Sequence, residues 1–426
     1  MDQHSEVCIL SLNYPPEPTG ISLYTGALAA GLAASGYRVA AHVAHPHYPE
    51  WRIHDGYGQW TRTEQINGVS VSRRMHYVPQ RPRGLRRLLS EFTFGVRLVA
   101  AKWGSPRVVI ALSPPLFATA MAFLRLRLTP RRPRLIVWVQ DIYSLGLAET
   151  REGGGLVRRV TSMVEACTFR AADRVVVLHQ RFADYLASEL GVPAERITVL
   201  RNWTHLPPAN AVDPSSAKAK LGWPIGVTLA VHTGNMGAKQ ALENVVDAAR
   251  IADELDAPVH FILVGSGGER VSLESYARGV LRVTFIDPLS EDDYRLALAA
   301  ADVLLVNEKP GVSAMAMPSK LTSYFDAGRP VVAATDLGGI TASELTDAGA
   351  GLVVPAGEPA KLLDAVLTIG TDSEAAAQYA SNGRRHRQRV LDEQTAIEGW
   401  IALIESVTAK CASRGTVGRG ENMHGA

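Results

Sequence analysis

Short apolar segments alternate with segments of helix length along most of the chain, and this alternation constrains the fold more than any other feature. The first repeat consists of an apolar segment at 7–12, a helical segment at 21–35 and a second apolar segment at 38–43. A strand, a crossover helix and a second strand are typical of a parallel sheet. The pattern therefore predicts an α/β protein with doubly wound parallel sheets. Further strands are predicted at 107–112, 135–139, 174–178, 228–232, 259–264, 283–286, 303–306, 331–334 and 352–354.

A proline-rich segment at 201–214 interrupts the alternation and is predicted to link two domains. A chain of 426 residues is also longer than one ordinary core organises. We predict Rossmann-like domains at 1–203 and 204–385 that face each other across a cleft. A helix at 386–410 and a disordered tail at 411–426 are expected to follow.

The composition is that of a globular protein without membrane spans. Charged residues make up 20% of the chain, and no apolar segment reaches the roughly 18 residues that a spanning helix needs. The N-terminal residues lack the pattern of a secretory signal. Cys8, Cys167 and Cys411 are far apart and odd in number, so neither a disulfide framework nor a zinc site is predicted. We expect a cytoplasmic protein.

Positive charge is concentrated in the first half of the chain. Residues 1–203 contain 25 Lys and Arg against 15 Asp and Glu, whereas the remaining residues contain 19 against 27. This asymmetry indicates that the first half faces an anionic partner. Nucleic acid, the cytoplasmic face of a membrane and a lipid-linked phosphate are the candidates.

Loops that follow the predicted strands are candidate ligand sites, because ligands of open parallel sheets bind beyond the carboxyl ends of the strands. The loop that ends at Gly20 allows a ligand to approach a helix N-terminus, and a plain tight turn is the alternative. After the strand at 228–232, Gly234 and Lys239 suit a diphosphate, and a turn with a solvated lysine is the alternative. The glycines within 265–268 fit a ligand and simple packing equally well.

A further candidate is the segment 318–333, which contains Lys320. Ser319 suits the cap of a helix that starts near Lys320, and Gly328 suits the end of that helix. A lysine in the first helical turn is unfavourable because of the helix dipole, and an anionic ligand there would reverse the penalty. A lysine that bends into solvent is the alternative.

Several motifs of other enzyme classes do not occur in the sequence. There is no Asp-x-Asp, no metal-ligand cluster, no G-x-G-x-x-G fingerprint, no P-loop and no G-x-S-x-G elbow. These absences disfavour NAD or FAD enzymes, P-loop enzymes and hydrolases. We expect no metal and no cofactor, with a diphosphate neutralised by helix N-termini and lysines rather than by Mg²⁺.

Eight short motifs follow one another along nearly the whole chain. In this order and spacing they resemble GT-B glycosyltransferases of family 4, in the branch of colanic-acid and O-antigen fucosyl- and N-acetylfucosaminyl-type transferases. The resemblance implies retaining transfer from a UDP- or GDP-linked sugar, with the donor in the second domain and the acceptor in the first. The motifs are Tyr14-Pro-Pro-Glu-Pro-Thr-Gly-Ile21, Tyr48-Pro-Glu-Trp-Arg52, Gln140-Asp-Ile-Tyr143, Arg201-Asn-Trp203, Gly234-Asn-Met-Gly237, Ala301-Asp-Val-Leu304, Met317-Pro-Ser-Lys-Leu321 and Ala327-Gly-Arg-Pro-Val-Val332.

The resemblance also implies roles for individual residues. Leu289 would lie near the nucleotide base, and the C-terminal helix would cross back onto the first domain. The residues implied to contact the diphosphate or the sugar are Gly20, Gly234, Asn235 and Lys239. Those implied to form the donor-side helix start are Pro318, Ser319, Lys320 and Leu321.

The chain departs from the family pattern at several positions. Two glutamates of the family, separated by seven intervening residues, correspond here to Met315 and Ser323, and a frequent histidine corresponds to Gln140. Asp141 is then the candidate acceptor-side group, because a carboxylate there could accept or orient the proton of the attacking hydroxyl. The departing phosphate is an alternative base, and an aspartate that caps a turn is the alternative without a catalytic role.

Two segments, 81–89 and 125–134, mix arginines with leucines. They suit peripheral attachment to the anionic inner face of a membrane that holds a polyprenyl-diphosphate-linked saccharide as acceptor. A solvated arginine face is the alternative. A nucleotide-sugar 2-epimerase of the same plan is the second enzyme candidate. A nucleic-acid-binding protein is disfavoured, because the arginines lack interleaved aromatic residues and a known binding module.

Overall fold

The computed structural model describes residues 6–18, 20–81, 84–130, 132–150, 155–204, 212–311 and 320–416. These residues form two compact units. Unit 1 contains the described residues up to 204 together with those from 393 onward, and unit 2 contains residues 212–392. Half of the predicted linker at 201–214, residues 205–211, lies outside the described residues.

Unit 1 is an eight-stranded sheet in the order β3-β4-β2-β1-β5-β6-β7-β8, flanked by helices. Every neighbouring pair of strands is parallel except β3 and β4. Its elements are β1 (Glu6–Ser11), α1 (Ile21–Ala34), β2 (Arg38–Ala44), β3 (Thr61–Ile66), β4 (Val69–Arg74), α2 (Leu85–Val99), β5 (Val108–Ser113), α3 (Leu116–Arg127), β6 (Arg134–Val139), α4 (Tyr143–Thr150), α5 (Gly155–Ala171), β7 (Arg174–Val177), α6 (Gln180–Ser188) and β8 (Ile197–Val199), with α15 (Glu393–Thr416) at the end of the chain.

Unit 2 is a six-stranded, wholly parallel sheet in the order β11-β10-β9-β12-β13-β14. Ser290 caps α10 by accepting a hydrogen bond from the backbone N–H of Asp293. Its elements are α7 (Pro214–Leu221), β9 (Thr228–Thr233), α8 (Glu243–Glu254), β10 (Val259–Val264), α9 (Arg270–Tyr276), β11 (Val283–Ile286), α10 (Glu291–Ala300), β12 (Val303–Asn307), α11 (Lys320–Ala327), β13 (Val331–Thr335), α12 (Ile340–Ala348), β14 (Gly351–Pro355), α13 (Pro359–Thr371) and α14 (Ser373–Val390).

The antiparallel hairpin of β3 and β4 departs from the prediction of purely parallel sheets. Asn67 and Gly68 join the two strands with φ angles of 50° and 79°. Positive φ at both central residues is the geometry of the tightest hairpin turns, and Asn-Gly favours it. In both strands, more and less exposed residues alternate, as they do at the edge of a sheet. This alternation differs from the continuous apolar segments that mark the central strands.

The order of strands reverses once in each sheet. In unit 1 the chain passes from β1 to β2 in one direction, and β5 then starts a series that runs in the other direction; β9 and β12 mark the same reversal in unit 2. Because crossovers between parallel strands are right-handed, helices of the two directions cover opposite faces of the sheet. In unit 1, α2 packs on α3 and α3 on α5, whereas α1 packs on α15.

Three tryptophans anchor α15 to the core of unit 1. The ring of Trp400 lies edge-on to that of Trp138, with centroids 4.9 Å apart. The ring of Trp203 stacks on that of Trp138, with centroids 6.3 Å apart. All three side chains are fully buried. The C-terminal helix therefore belongs to unit 1.

The bounds of the C-terminal helices differ from the prediction at both ends. The predicted helix at 386–410 is divided, because α14 ends at Val390 and α15 begins at Glu393. Leu391 between them is buried in the core of unit 2. Helix α15 also continues to Thr416, past residue 411 where the disordered tail is expected, and residues 417–426 lie outside the described part of the chain.

We predict that Trp400→Ala lowers the free energy of unfolding of unit 1 by about 3–5 kcal/mol, since it removes a fully buried ring from a packed core. Trp60→Ala is the matched control, because that ring is 70% exposed. The control should lose less than about 1 kcal/mol. Urea denaturation followed by circular dichroism measures both, and an unchanged midpoint for Trp400→Ala would contradict the anchoring role.

Candidate functional site

In unit 2 the strand-order reversal lies between β9 and β12, which is where ligands of doubly wound sheets bind. The loop that follows β9 starts at Gly234, whose φ of 113° suits glycine and few other residues. The loop extends to Leu242 before α8 begins. It is thus longer than the short glycine turn that the sequence suggests, and its shape depends on side chains from other elements.

Asn307, the last residue of β12, holds this loop in place. Its buried amide nitrogen donates to the carbonyl oxygens of Gln240 at 2.7 Å and Ala241 at 2.9 Å. Its amide oxygen accepts from Asn244 Nδ2 at 2.8 Å. Asn307 is not among the residues predicted from the sequence, although an asparagine at the end of an apolar strand is a usable signal.

Within the loop, Gln240 organises the backbone. Its side-chain oxygen accepts from the backbone N–H of Gly237 at 3.1 Å and from Asn235 Nδ2 at 3.4 Å. The side chain of Lys239 is exposed, and its carbonyl accepts from the backbone N–H of Lys309 at 2.8 Å. Asn235 and Lys239 therefore both belong to a loop whose conformation is fixed by hydrogen bonds.

The glycine-rich loop after β10 serves packing against the loop after β9. A Cβ at Gly265 would collide with the carbonyl oxygen of Gly234, and one at Gly267 would collide with that of Met236. The backbone N–H of Met236 donates to the carbonyl of Ser266 at 2.9 Å. Packing therefore accounts for Gly265 and Gly267, whereas no atom lies within 4 Å of a Cβ built at Gly268.

Lys320, the first residue of α11, points towards the loop after β9. Its Nζ lies 3.3 Å from Nε2 of His232. A Cβ built at Gly234 would lie 4.0 Å from the Nζ of Lys320. Burial lowers the pKa of Lys320 to about 8, against the opposing effect of the Glu308 carboxylate. The structure thus brings two of the sequence-predicted residues, Lys320 and Gly234, together.

His232 is a member of this site that sequence analysis missed. It lies in β9 and is completely buried. Burial and the neighbouring Lys320 lower its pKa well below the ordinary value, so its imidazole is neutral and accepts a hydrogen bond from the ammonium. A histidine inside a short apolar strand gives no sign from the sequence that it faces a lysine 88 residues later.

Glu308 follows Asn307 at the same edge of the sheet. Its carboxylate accepts hydrogen bonds from the hydroxyls of Thr335 and Thr341, the second at 2.7 Å. Groups of β13 and α12 therefore hold the carboxylate in place. Its negative charge also acts to raise the pKa of Lys320.

The other predicted donor-side residues have different positions. Leu321 is fully buried in the core of unit 2, so its side chain supports α11, and its backbone lies in the first turn of that helix. Leu289 is partly buried and packs against the same core in the turn between β11 and α10. Pro318, Ser319 and Met315 lie outside the described residues, and Ser323 is buried in α11.

In unit 1, the loop after β1 lies at the reversal between β1 and β5. Gly20 has a φ of 67° at the start of α1, and no atom lies within 4 Å of a Cβ built there. The buried carboxylate of Glu17 accepts from the backbone N–H groups of His47 at 2.8 Å and Tyr48 at 3.0 Å. Glu17 thereby ties this loop to the one after β2, a role that the sequence analysis did not assign.

Asp141 lies in a turn directly after β6 and is half-buried. The preceding residue, Gln140, donates its backbone N–H to the carbonyl of Ser113 at 2.8 Å. The side chain of Gln140 pairs with that of Asn202, which donates to it at 2.9 Å. The turn is therefore fixed on the side of β5 and β8.

Two buried glutamates fix the other side of the Asp141 turn. Glu165 of α5 accepts from the backbone N–H groups of Tyr143 at 2.6 Å and Ser144 at 3.1 Å, and so caps the start of α4. The Tyr143 hydroxyl donates to Glu91 of α2 at 2.6 Å. Burial raises the pKa of both glutamates.

Arg87 of α2 is the cation nearest to this network. It donates to the Tyr143 hydroxyl at 3.1 Å and lies 3.8 Å from Glu91. Burial disfavours its charge, but Tyr143, Glu91 and Asp141 together keep its pKa above the ordinary value. Asp141 therefore lies in a prearranged turn with a cation in electrostatic range.

The described residues contain neither a metal-ligand cluster nor a helix suited to span a membrane. No group of three or more His, Cys, Asp or Glu side chains among them is arranged to hold a metal ion. No helix among them is both long and apolar enough to cross a membrane.

Comparison with known proteins identifies the family. Residues 19–203 match the family model described as glycosyl transferase 4-like domain, and residues 228–372 match the model described as glycosyl transferases group 1. The chain is 30% identical over 415 residues to the putative colanic acid biosynthesis glycosyl transferase WcaI of Escherichia coli (strain K12), covering 93% of this chain and 98% of the relative.

Solved structures agree in fold over nearly the whole chain. Sucrose-phosphate synthase from Thermosynechococcus elongatus has a TM-score of 0.73 at 18% identity and covers 95% of this chain and 100% of its own. Anabaena Alr3699/HepE in complex with UDP has a TM-score of 0.68 at 17% identity, covering 94% of this chain and 100% of its own. With both sheets, both family models and the relative in agreement, the chain belongs to family 4 of the GT-B glycosyltransferases.

Proposed function

We propose that the protein transfers a sugar, with retention of configuration, from a UDP- or GDP-linked donor to a lipid-linked saccharide in the synthesis of a cell-surface polysaccharide. The observation that carries the proposal is the convergence of Lys320, His232 and Gly234 at the strand-order reversal of unit 2. The name of the colanic-acid relative supports the polysaccharide, and the UDP complex of HepE supports the nucleotide donor. A 2-epimerase of the same plan is not favoured, because the relative and both family models are transferases.

In this reaction the bond between the anomeric carbon and the diphosphate oxygen breaks, and a bond from that carbon to the acceptor hydroxyl oxygen forms. Negative charge develops on the departing diphosphate. The ammonium of Lys320 and the first turn of α11 would stabilise that charge, and the open backbone at Gly234 would let the phosphate approach. Groups of the chain itself would thus stabilise the charge on the diphosphate. That no resident metal or cofactor takes part stays a prediction.

The acceptor hydroxyl must lose its proton during transfer. The proton passes to the departing phosphate or to Asp141, and in the first case Asp141 orients the hydroxyl. Glu91, Glu165 and Tyr143 hold the Asp141 turn, so the carboxylate is positioned before the acceptor arrives. Preorganised groups contribute most, because they need not rearrange when charge develops.

We predict that affinity for UDP or GDP falls as the pH rises, because the pKa of Lys320 is about 8 in the free protein. A diphosphate binds the protonated amine, so binding above this pKa requires uptake of a proton. Between pH 7 and pH 9 the affinity should fall about tenfold. Isothermal titration calorimetry with both nucleotides measures this.

Lys320→Met removes the titrating group and should bind the nucleotide at least about tenfold more weakly at neutral pH, with no further loss at high pH. Lys361→Met is the control, since that lysine is exposed in the same unit. Neutral His232 and the held Glu308 are the titratable groups that face Lys320. Wild-type affinity that stays constant from neutral to alkaline pH would contradict the role of Lys320.

We predict that Asp141→Asn lowers kcat about a hundredfold or more, the range expected for loss of a general base. UDP or GDP affinity should stay at the wild-type value, since Asp141 is not among the residues assigned to the donor. Asp184→Asn on the exposed side of α6 is the control and should keep full activity. Sugar transfer to a lipid-linked acceptor and nucleotide titration are measured together; an Asp141→Asn enzyme with normal kcat would remove the assignment.

A further inference from the structure

Helix α2 carries more of its large apolar side chains on its outer side than on its inner side. Its buried residues include Ser90, Glu91 and Gly95 besides Phe94 and Leu98. The outer residues repeat at helical spacing along the whole helix and form a continuous stripe. The exposed apolar residues of this stripe are Leu85, Leu88, Leu89, Phe92, Val96 and Val99.

The neighbouring helices extend the same surface. Because α2 packs on α3 and α3 on α5, and right-handed crossovers place all three on one face of the sheet, their outer sides are contiguous. We call this surface the helical face. Its further exposed apolar residues are Leu124 and Leu128 at the end of α3, and Leu156, Val157, Val160 and Met163 on α5. An apolar area of this extent is unusual on a soluble surface.

Among the described side chains of α2, α3 and α5, every exposed charge is positive. The carboxylates of α2, α3 and α5 are Glu91 and Glu165, and both are buried in hydrogen bonds to Tyr143 and Ser144. The exposed and half-exposed charged residues of these three helices are Arg86, Arg87, Arg97, Arg125, Arg127, Arg158, Arg159 and Arg170. An apolar stripe with exclusively positive flanks is complementary to an anionic surface with an apolar interior.

An exposed tryptophan marks the edge of this face. Trp60 is 70% exposed, and the guanidinium of Arg97 lies 3.7 Å from its ring centroid. Arg97 also donates to the hydroxyl of Thr61 at 3.0 Å, which fixes the pair beside α2. Amphipathic rings and arginines are favoured at the level of lipid headgroups.

We propose that the helical face docks on the surface of a bilayer that contains anionic lipids. The apolar side chains of α2 and α5 enter the boundary between headgroups and acyl chains, and the arginines bind the phosphates. A protein partner is the less suitable occupant, because it would need acidic side chains placed opposite arginines on three helices, whereas an anionic bilayer presents negative charge across its whole surface. The docking rests on no assumption about the sugar chemistry.

One consequence of docking rests on the proposed function. Arg87 and Glu91 contact Tyr143, so the turn of Asp141 adjoins the same helix whose outer side meets the bilayer. The two sides of a helix are only about 10 Å apart. A saccharide on a lipid diphosphate in that leaflet would therefore be presented close to Asp141.

Flotation of the full chain tests the docking, with vesicles of phosphatidylcholine mixed with phosphatidylglycerol and with vesicles of phosphatidylcholine alone. The wild type should float with the anionic vesicles and much less with the neutral ones. Arg158→Gln with Arg159→Gln should weaken binding about thirtyfold, given the usual contribution of each arginine near an anionic surface. Phe92→Ser with Leu156→Ser should also weaken binding, at low and at high salt, because it removes inserted apolar groups.

Matched controls lie in unit 2. Arg385→Gln with Arg389→Gln, and Leu281→Ser, change exposed residues outside the helical face and should leave flotation unchanged. Absence of wild-type flotation, equal binding of the variants, or self-association through this face in place of lipid binding would each overturn the proposal. UDP and GDP titrations of the same samples separate the two proposals, since intact nucleotide affinity without flotation rejects docking alone.

Discussion

The reversal of strand order in each sheet is the constraint on which the rest of the structure depends. At the reversal, two neighbouring strands are followed by helices on opposite faces of the sheet. The carboxyl ends of these two strands therefore stay uncovered. In unit 2 the uncovered position lies between β9 and β12, and the loop after β9 must be held there by side chains. Asn307 does this with hydrogen bonds to two carbonyls of that loop. The position of Gly234, and with it the space beside Lys320, follows from that attachment.

The carboxylate of Glu308 favours the charged form of Lys320, but burial of the ammonium outweighs it. Lys320 faces a neutral imidazole, and the carboxylate of Glu308 is shared with two threonine hydroxyls. Burial therefore dominates, and the pKa of Lys320 falls to about 8. An ammonium in such surroundings is stabilised by an arriving anion more than a solvated ammonium would be, because less water must be displaced from it. An anionic group such as a diphosphate would supply the negative charge that favours the protonated form of Lys320.

The sequence predicted the central strands well because each is a continuous apolar segment. The β3–β4 hairpin escaped prediction, since its strands alternate in polarity and only Asn67-Gly68 signalled the turn. Five buried polar residues escaped prediction because their partners are distant in sequence. They are His232, Asn307, Glu17, Glu91 and Glu165. Lys320 is 88 residues from His232, and Asn307 is 67 residues from Gln240. The side chain of Leu321 faces the core, which its place beside a predicted site does not reveal, and its role in the start of α11 stays a prediction.

Glu91 and Glu165 connect the two proposals of unit 1 in physical terms. A buried carboxylate is costly unless hydrogen-bond donors replace its water, and here the start of α4 and the Tyr143 hydroxyl supply those donors. Turning Glu91 inward also turns the opposite side of α2 outward, and that side carries leucines and Phe92. An isolated unit in water gains nothing from this arrangement, since the apolar side chains stay exposed. At a bilayer the same arrangement buries them, leaves arginines at the headgroups and keeps the Asp141 turn preorganised on the inner side of the helix.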